Sequence, residues 1–196
     1  MNLIEHVELH FSANIQTSTE ALPLLAGPIA AGSSLLVECL LQGGKILCCG
    51  NGGSAANAQR FAALMLNRFE RERPGLPAIA LNSDTTALTS ISDYYDYDET
   101  CSRQVQALGH RGDILLAVSC SGNAENINAA VDAAHEREMR VIALTGGEGG
   151  RLSTLLRGED MEIRAPSRNE ARTEEVHLLT IHCLCDLVDQ QLLGES

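Results

Sequence analysis

The feature that most constrains this chain is a repeated pattern in its middle: a short apolar run, a turn of small polar residues, then a helix-like stretch. Lys45-Ile46-Leu47-Cys48-Cys49 runs into Gly50-Asn51-Gly52-Gly53-Ser54 and a helical stretch from Ala55 to Arg68. Pro77-Ala78-Ile79-Ala80-Leu81 is followed by Asn82-Ser83-Asp84 and a helix near Thr85–Ser92. Asp113-Ile114-Leu115-Leu116-Ala117-Val118-Ser119 leads to Cys120-Ser121-Gly122-Asn123 and a helix over Glu125–Arg137. Arg140–Thr145 is a fourth run, ending in Gly146-Gly147, and Met161–Arg164 a shorter fifth; a last helix spans about Ala171 to Leu192. Strands apolar on both faces belong to a sheet covered on both sides, and their alternation with helices makes it parallel. Right-handed crossovers then give a doubly wound α/β three-layer sandwich.

The N-terminal residues 1–42 have no place in that sheet. Ile4, Val7, Phe11, Ile15 and Leu22 fall on one helical face. Pro28 suits the start of a second helix, from about Ile29 to Gln42, which Gly43-Gly44 ends. These two helices are expected to pack on the sandwich or on a neighbouring subunit. With no linker, repeat or low-complexity stretch, residues 1–196 read as one domain.

Composition narrows the function. The formal net charge is −12, from 26 acidic against 14 basic residues, so the chain is a poor match for the nucleic-acid backbone. Aromatic residues make up only 3% of the chain, too few to stack bases. No basic region followed by an apolar stretch opens the sequence, and no apolar run is read as spanning a bilayer, so a cytoplasmic protein without direct membrane or nucleic-acid contact is expected. The seven cysteines then read as reduced, mostly buried thiols.

In an open parallel sheet, ligands bind beyond the carboxyl ends of the strands. Gly50-Asn51-Gly52-Gly53-Ser54 occupies that place after the first strand and opens a helix, whose free N–H groups and positive dipole end suit a phosphate. It matches neither the dinucleotide fingerprint nor a P-loop. Ser119-Cys120-Ser121-Gly122-Asn123 does the same after the third strand, although a hydroxyl there also serves as a plain cap. Together the two turns can converge on one anion without lysine. Asp93 reads equally as a turn residue, and Arg60 and Arg68 as solvated charges. His182, in an apolar stretch, reads more readily as core than as catalyst.

Cys49-Gly50-Asn51-Gly52-Gly53-Ser54, Ser119-Cys120-Ser121-Gly122-Asn123 and Ala143-Leu144-Thr145-Gly146 resemble the landmarks of the sugar isomerase (SIS) domain family, and the resemblance covers essentially the whole chain. Two groups within it are similar: the phosphoheptose isomerases, which convert sedoheptulose 7-phosphate to D-glycero-D-manno-heptose 7-phosphate for lipopolysaccharide core synthesis, and proteins that bind the replication initiator DnaA. Both imply a homotetramer. The resemblance assigns phosphate and sugar binding to Asn51, Gly52, Gly53, Ser54, Arg68, Asp93, Ser119, Cys120, Ser121, Asn123 and Glu174, and a catalytic role to His182. The isomerases' partner glutamate is here Leu64, which cannot move a proton. Where some isomerases hold zinc, this chain has Arg60, Leu64, Glu174 and His182, so neither metal nor other cofactor is expected. Arg60 is expected to bring a positive charge near the pocket. With Leu64 in that place, the expectation is a phosphosugar-binding regulator that associates with DnaA; the alternative is an active phosphoheptose isomerase using His182 with Glu174 or Asp93.

Overall fold

The computed structural model describes residues 2–194. Five strands, β1 (Ile46–Gly50), β2 (Ala78–Ala80), β3 (Ile114–Ser119), β4 (Arg140–Gly146) and β5 (Met161–Ala165), form one parallel sheet in the order β2-β1-β3-β4-β5. The sheet and its covering helices are the doubly wound α/β sandwich that the alternating pattern predicts, with each strand placed within about a residue of expectation.

Two cores flank the sheet, and the strands' period of two divides residues between them. Ile46, Cys48, Ile114, Leu116, Val118, Ile142 and Leu144 face one side, with α1 (Leu3–Leu41), α2 (Gly53–Leu66) and α7 (Glu170–Leu193). Leu47, Cys49, Leu115, Ala117, Val141 and Ala143 face the other, under α4 (Ser102–Leu108), α5 (Glu125–Glu136) and α6 (Gly150–Leu155). The helix α3 (Thr85–Tyr94) has no buried residue. The sequence pattern does not mark α4, α6 or the 3-10 turn Tyr97–Glu99, which are too short for an apolar periodicity to register.

The N-terminal segment departs from expectation. Instead of two helices broken near Pro28, α1 runs unbroken for 39 residues with Pro23 and Pro28 inside it. Each proline frees the carbonyl four residues earlier. Those belong to Thr19 and Leu24, both exposed, where water can take the bond. Downstream, Gly32 brings α1 close to Met161 and Ile163 of β5 and to Leu184 of α7. The expectation that no segment reads as a bilayer span also fails for α1, which is long and apolar enough by length and composition. Ala21–Val37 carries no charge, but its alanines, glycines and serines dilute the apolar signal. Ala21, Leu25, Leu36 and Val37 of this stretch are buried in the first core.

Candidate functional site

The chain crosses from β1 to β2 on one side and then from β2 to β3 on the other side of β1, so the carboxyl ends of β1 and β3 flank the switch point of the sheet. A cavity of about 630 Å³ opens there. Asn51 and Ser54 line it from the β1–α2 turn, and Ser119, Cys120, Ser121 and Asn123 from the β3–α5 turn. All six are residues that the strand-end argument singles out, and they line one cavity.

Two helices point their N-termini at this space, and among the described residues no side chain caps either one. The amides of Gly53 and Ser54 open α2, and those of Glu125 and Asn126 open α5, so none has a carbonyl one turn earlier to take its hydrogen. Ser54 is nearly buried, and its Oγ lies 3.6 Å from Sγ of Cys120. Ser119 Oγ accepts from the Gly122 amide, and Ser121 Oγ from the Asn123 amide, each at 3.2 Å. Gly122 adopts φ +66°, and a Cβ there would strike the backbone carbonyl of Gly149, so this turn requires glycine. Partial positive charge from two helix ends, with hydroxyls between, is a cradle for an oxyanion.

Acidic groups stand beside the cradle. Burial pushes the Cys120 thiol up from its usual range, and the charges of Glu174 and Glu170 add to this, while the Ser54 hydroxyl works the other way. Glu174, on the first turns of α7, lies so close to Gly53 that a Cβ on that glycine would meet its carboxylate. Asn57 of α2 donates to the Glu174 carbonyl at 3.2 Å and ties the two helices together there. Glu174 thus lies beside the first residue of α2, next to the cavity lining rather than in it.

Other assigned residues lie elsewhere in the chain. Arg68 is exposed and paired with Glu72 at 3.2 Å. Asp93 is exposed on α3. His182 is half-buried against the ring of Phe69, with centroids 5.4 Å apart, and its Nε2 is buried without a protein partner. Arg60 is exposed and does not line the cavity, which corrects the expectation of a positive charge at the pocket. Its helical spacing sets it outside the face on which Ser54, Asn57 and Phe61 turn inward. Leu64 is 7% exposed and belongs to the first core. A core leucine and an outward arginine do not fit a metal ligand set, and among the described residues no three His, Cys, Asp or Glu side chains gather in one place.

The far wall is made by Gly146 and Gly147, which end the fourth apolar run, and by Glu148, Ser167, Arg168, Glu170 and Thr173, which the sequence pattern does not single out. Ser167 and Arg168 follow the end of β5, so the strand-end rule applied to the fifth strand would have found them. Arg168 pairs with Glu148 at 2.6 Å on the exposed rim. Behind this wall His177 lies fully buried, with Nε2 2.8 Å from the Thr145 carbonyl. A carbonyl only accepts, so Nε2 carries the proton and donates. Burial pulls the His177 pKa down to about 4, against a smaller opposing pull from that hydrogen bond.

The geometry defines a class: a doubly wound sandwich with an uncapped, lysine-free anion cradle at its switch point. A model of the SIS domain matches residues 10–146, and the chain belongs to the SIS domain family. It is 56% identical over its whole length to the phosphoheptose isomerase of Methylococcus capsulatus, covering all of that protein. It is 55% identical, over 95% of each chain, to the phosphoheptose isomerase of Chromohalobacter salexigens. Among solved structures, a phosphoheptose isomerase from Francisella tularensis matches with TM-score 0.94 and 45% identity, over 97% of this chain and 100% of that one. Phosphoheptose isomerase GmhA from Neisseria gonorrhoeae matches with TM-score 0.92 and 46% identity, over 96% and 100%. These full-length relatives overturn the expectation of a DnaA-associating regulator of replication. Leu64 carried that expectation, but a missing carboxylate says which group is absent, not which partner is bound.

Proposed function

We propose that this protein binds a phosphorylated sugar in the switch-point cavity and acts as a phosphoheptose isomerase, interconverting sedoheptulose 7-phosphate and an aldoheptose 7-phosphate. The observation that carries the reading is the cradle itself, where two uncapped helix N-termini converge with Ser54, Ser119 and Ser121 between them. The full-length likeness to proteins named phosphoheptose isomerase supports the substrate class. A phosphate seated there leaves the sugar chain to extend along the cavity.

The isomerisation moves a proton between adjacent carbons. A base takes a proton from C1 of the ketose, the electron pair forms the C1–C2 double bond of an enediol, and the C2 oxygen gains a proton. Return of a proton to C2, with loss of the O1 proton, gives the aldehyde. Leu64 cannot take part, and exposed Asp93 lies away from the cradle, so Glu174 is the acid/base we assign. Incubation with sedoheptulose 7-phosphate, with the aldose followed by NMR, tests this. Glu174→Gln is expected to lower turnover by roughly 10²–10⁴-fold, the usual share of general acid–base catalysis. Binding without turnover in the wild type would refute the isomerase and leave a phosphosugar-sensing module, the reading that the apolar Leu64 favours.

A homotetramer accompanies this proposal. Ile4, Val7, Phe11 and Ile15 form an apolar face on α1 that is 55–69% exposed in the single chain, more than a soluble helix leaves to water without a partner. Phe11→Glu should lower the mass measured by light scattering; an unchanged tetramer would exclude this face. A cytoplasmic setting follows too, since phosphorylated sugars do not cross bilayers unaided and all seven cysteines are unpaired.

A further inference from the structure

Asn51 lines the cavity between the two phosphate turns, yet its carboxamide is not free to choose an orientation. Its Oδ1 accepts from Nδ2 of Asn126 at 2.9 Å and from the Tyr97 hydroxyl at 3.0 Å. Its Nδ2 donates to Oδ1 of Asn126 at 2.8 Å. An amide oxygen has two lone pairs and an amide nitrogen two hydrogens. The oxygen is therefore filled and a single N–H is left over.

The partners are built in. Asn126 is 2% exposed on the first turn of α5, where its Nδ2 also meets Sγ of Cys101 at 3.8 Å. Tyr97 comes from the 3-10 turn after α3, a segment that supplies no wall of the cavity. Two other stretches of chain thus converge on one side chain of the pocket, and the 3-10 turn meets the pocket only through it.

We propose that Asn126 and Tyr97 are positioning residues that lock Asn51 as a one-hydrogen donor for a sugar oxygen of the bound ligand. This rests on the phosphosugar reading above. A fixed donor favours an oxygen that presents lone pairs, such as a carbonyl, and favours it more as that oxygen gains negative charge. A freely rotating amide would offer its oxygen as readily and would not discriminate.

Calorimetric titration with sedoheptulose 7-phosphate and, separately, with inorganic phosphate tests the assignment. Asn126→Ala should weaken sugar phosphate binding roughly tenfold, and Tyr97→Phe roughly threefold, the range expected for losing the orientation of one hydrogen bond. In Tyr97→Phe inorganic phosphate affinity should stay unchanged, because Tyr97 takes no part in the cradle. The Asn51→Ala/Asn126→Ala double variant should bind sugar phosphate no more weakly than Asn51→Ala, since Asn126 acts through Asn51. Tyr97→Phe removes only an exposed hydroxyl and keeps the test valid if Asn126→Ala folds poorly. Equal losses for both ligands, additive losses in the double variant, or unchanged sugar phosphate binding in Tyr97→Phe would overturn the positioning role while leaving the phosphosugar reading intact. A wild-type protein that binds inorganic phosphate but not the sugar phosphate would overturn that reading and this assignment with it.

Discussion

Gly53→Ala isolates the role of Glu174 without touching Glu174. A Cβ on Gly53 would overlap both carboxylate oxygens of Glu174. Ordinary carbon contacts begin near about 3.5 Å, so the carboxylate must retreat by roughly 1 Å or more. The retreat is cheap in folding terms, because what moves is the far end of a flexible, half-buried side chain. Gly53 is the first residue of α2 and is not among the glycines at positive φ. Alanine in a helix gains up to about 1 kcal/mol over glycine, and less at the first turn. The variant should therefore melt at or slightly above the wild-type temperature. Inorganic phosphate affinity should hold, since the Gly53 amide and Ser54 remain. Turnover of sedoheptulose 7-phosphate should fall by about 10²-fold, the cost of a catalytic group misplaced by about 1 Å. Stopped assays of the aldose, with melting and phosphate titration on the same preparation, measure all three. Wild-type kcat in a folded Gly53→Ala protein would refute the assignment of Glu174 as the acid/base.

Gly122→Ala is the contrasting substitution: its Cβ would strike the Gly149 backbone at φ +66°, so this variant should lose both melting temperature and phosphate binding, where Gly53→Ala loses neither. Arg73 and Asp189 form a buried pair at 2.5 Å, with side chains 1% and 2% exposed, and Arg73 also donates to the Leu64 and Met65 carbonyls at the end of α2. Asp189→Ala strands that charge and should cost about 3–5 kcal/mol, a drop of roughly 6–20 °C in Tm for a chain of this size, which calorimetry would show. His177 carries a folded pKa of about 4 against 6.5 for an ordinary histidine. The depressed value means that the unfolded chain binds a proton the fold refuses, so this contribution is full above pH 6.5 and is lost as pH falls towards 4, by roughly 3 kcal/mol in all. Urea midpoints of wild type and His177→Gln should converge across that window; parallel curves would exclude His177 as the source.

The sheet was legible because each strand is a continuous apolar run closed by small residues, and the strand-end rule then led to Asn51, Ser54, Ser119, Cys120, Ser121 and Asn123. The same rule extends to the loop after β5, where Ser167 and Arg168 line the cavity. Glu170 and Thr173 are harder to find: they sit on α7, and only the packing of α7 over the sheet turns them to the cavity. Residues carried over by resemblance fared differently. Glu174 lies against Gly53, while Arg68 pairs with Glu72, Asp93 is exposed and His182 packs on Phe69. A motif position tells which chemistry a residue can perform; where its side chain points depends on long-range packing that local spacing does not encode. α1 shows the same limit, since Pro28 breaks a helix by propensity but not where the freed carbonyl meets solvent.

An acidic protein that holds a phosphate needs a specific division of labour between near and far electrostatics. The net charge of −12 repels a phosphate dianion during approach, Glu148 and Glu170 line the cavity, and Glu174 lies against Gly53 at the start of α2. Arg168 on the rim is already paired with Glu148. Attraction is therefore confined to amides and hydroxyls that act within hydrogen-bond distance. Salt screens the first effect and not the second, because the Debye length is about 8 Å at 0.15 M ionic strength and about 3 Å at 1 M, while a bound oxyanion sits roughly 3 Å from its donors. Raising the salt from about 0.02 M to 0.5 M with a non-binding anion should speed association of sugar phosphate and leave dissociation unchanged, so that affinity rises. A site built on lysines would do the reverse. Stopped-flow association measured across that range decides between them, and affinity that falls with salt would show that a side-chain cation, not the helix ends, holds the phosphate.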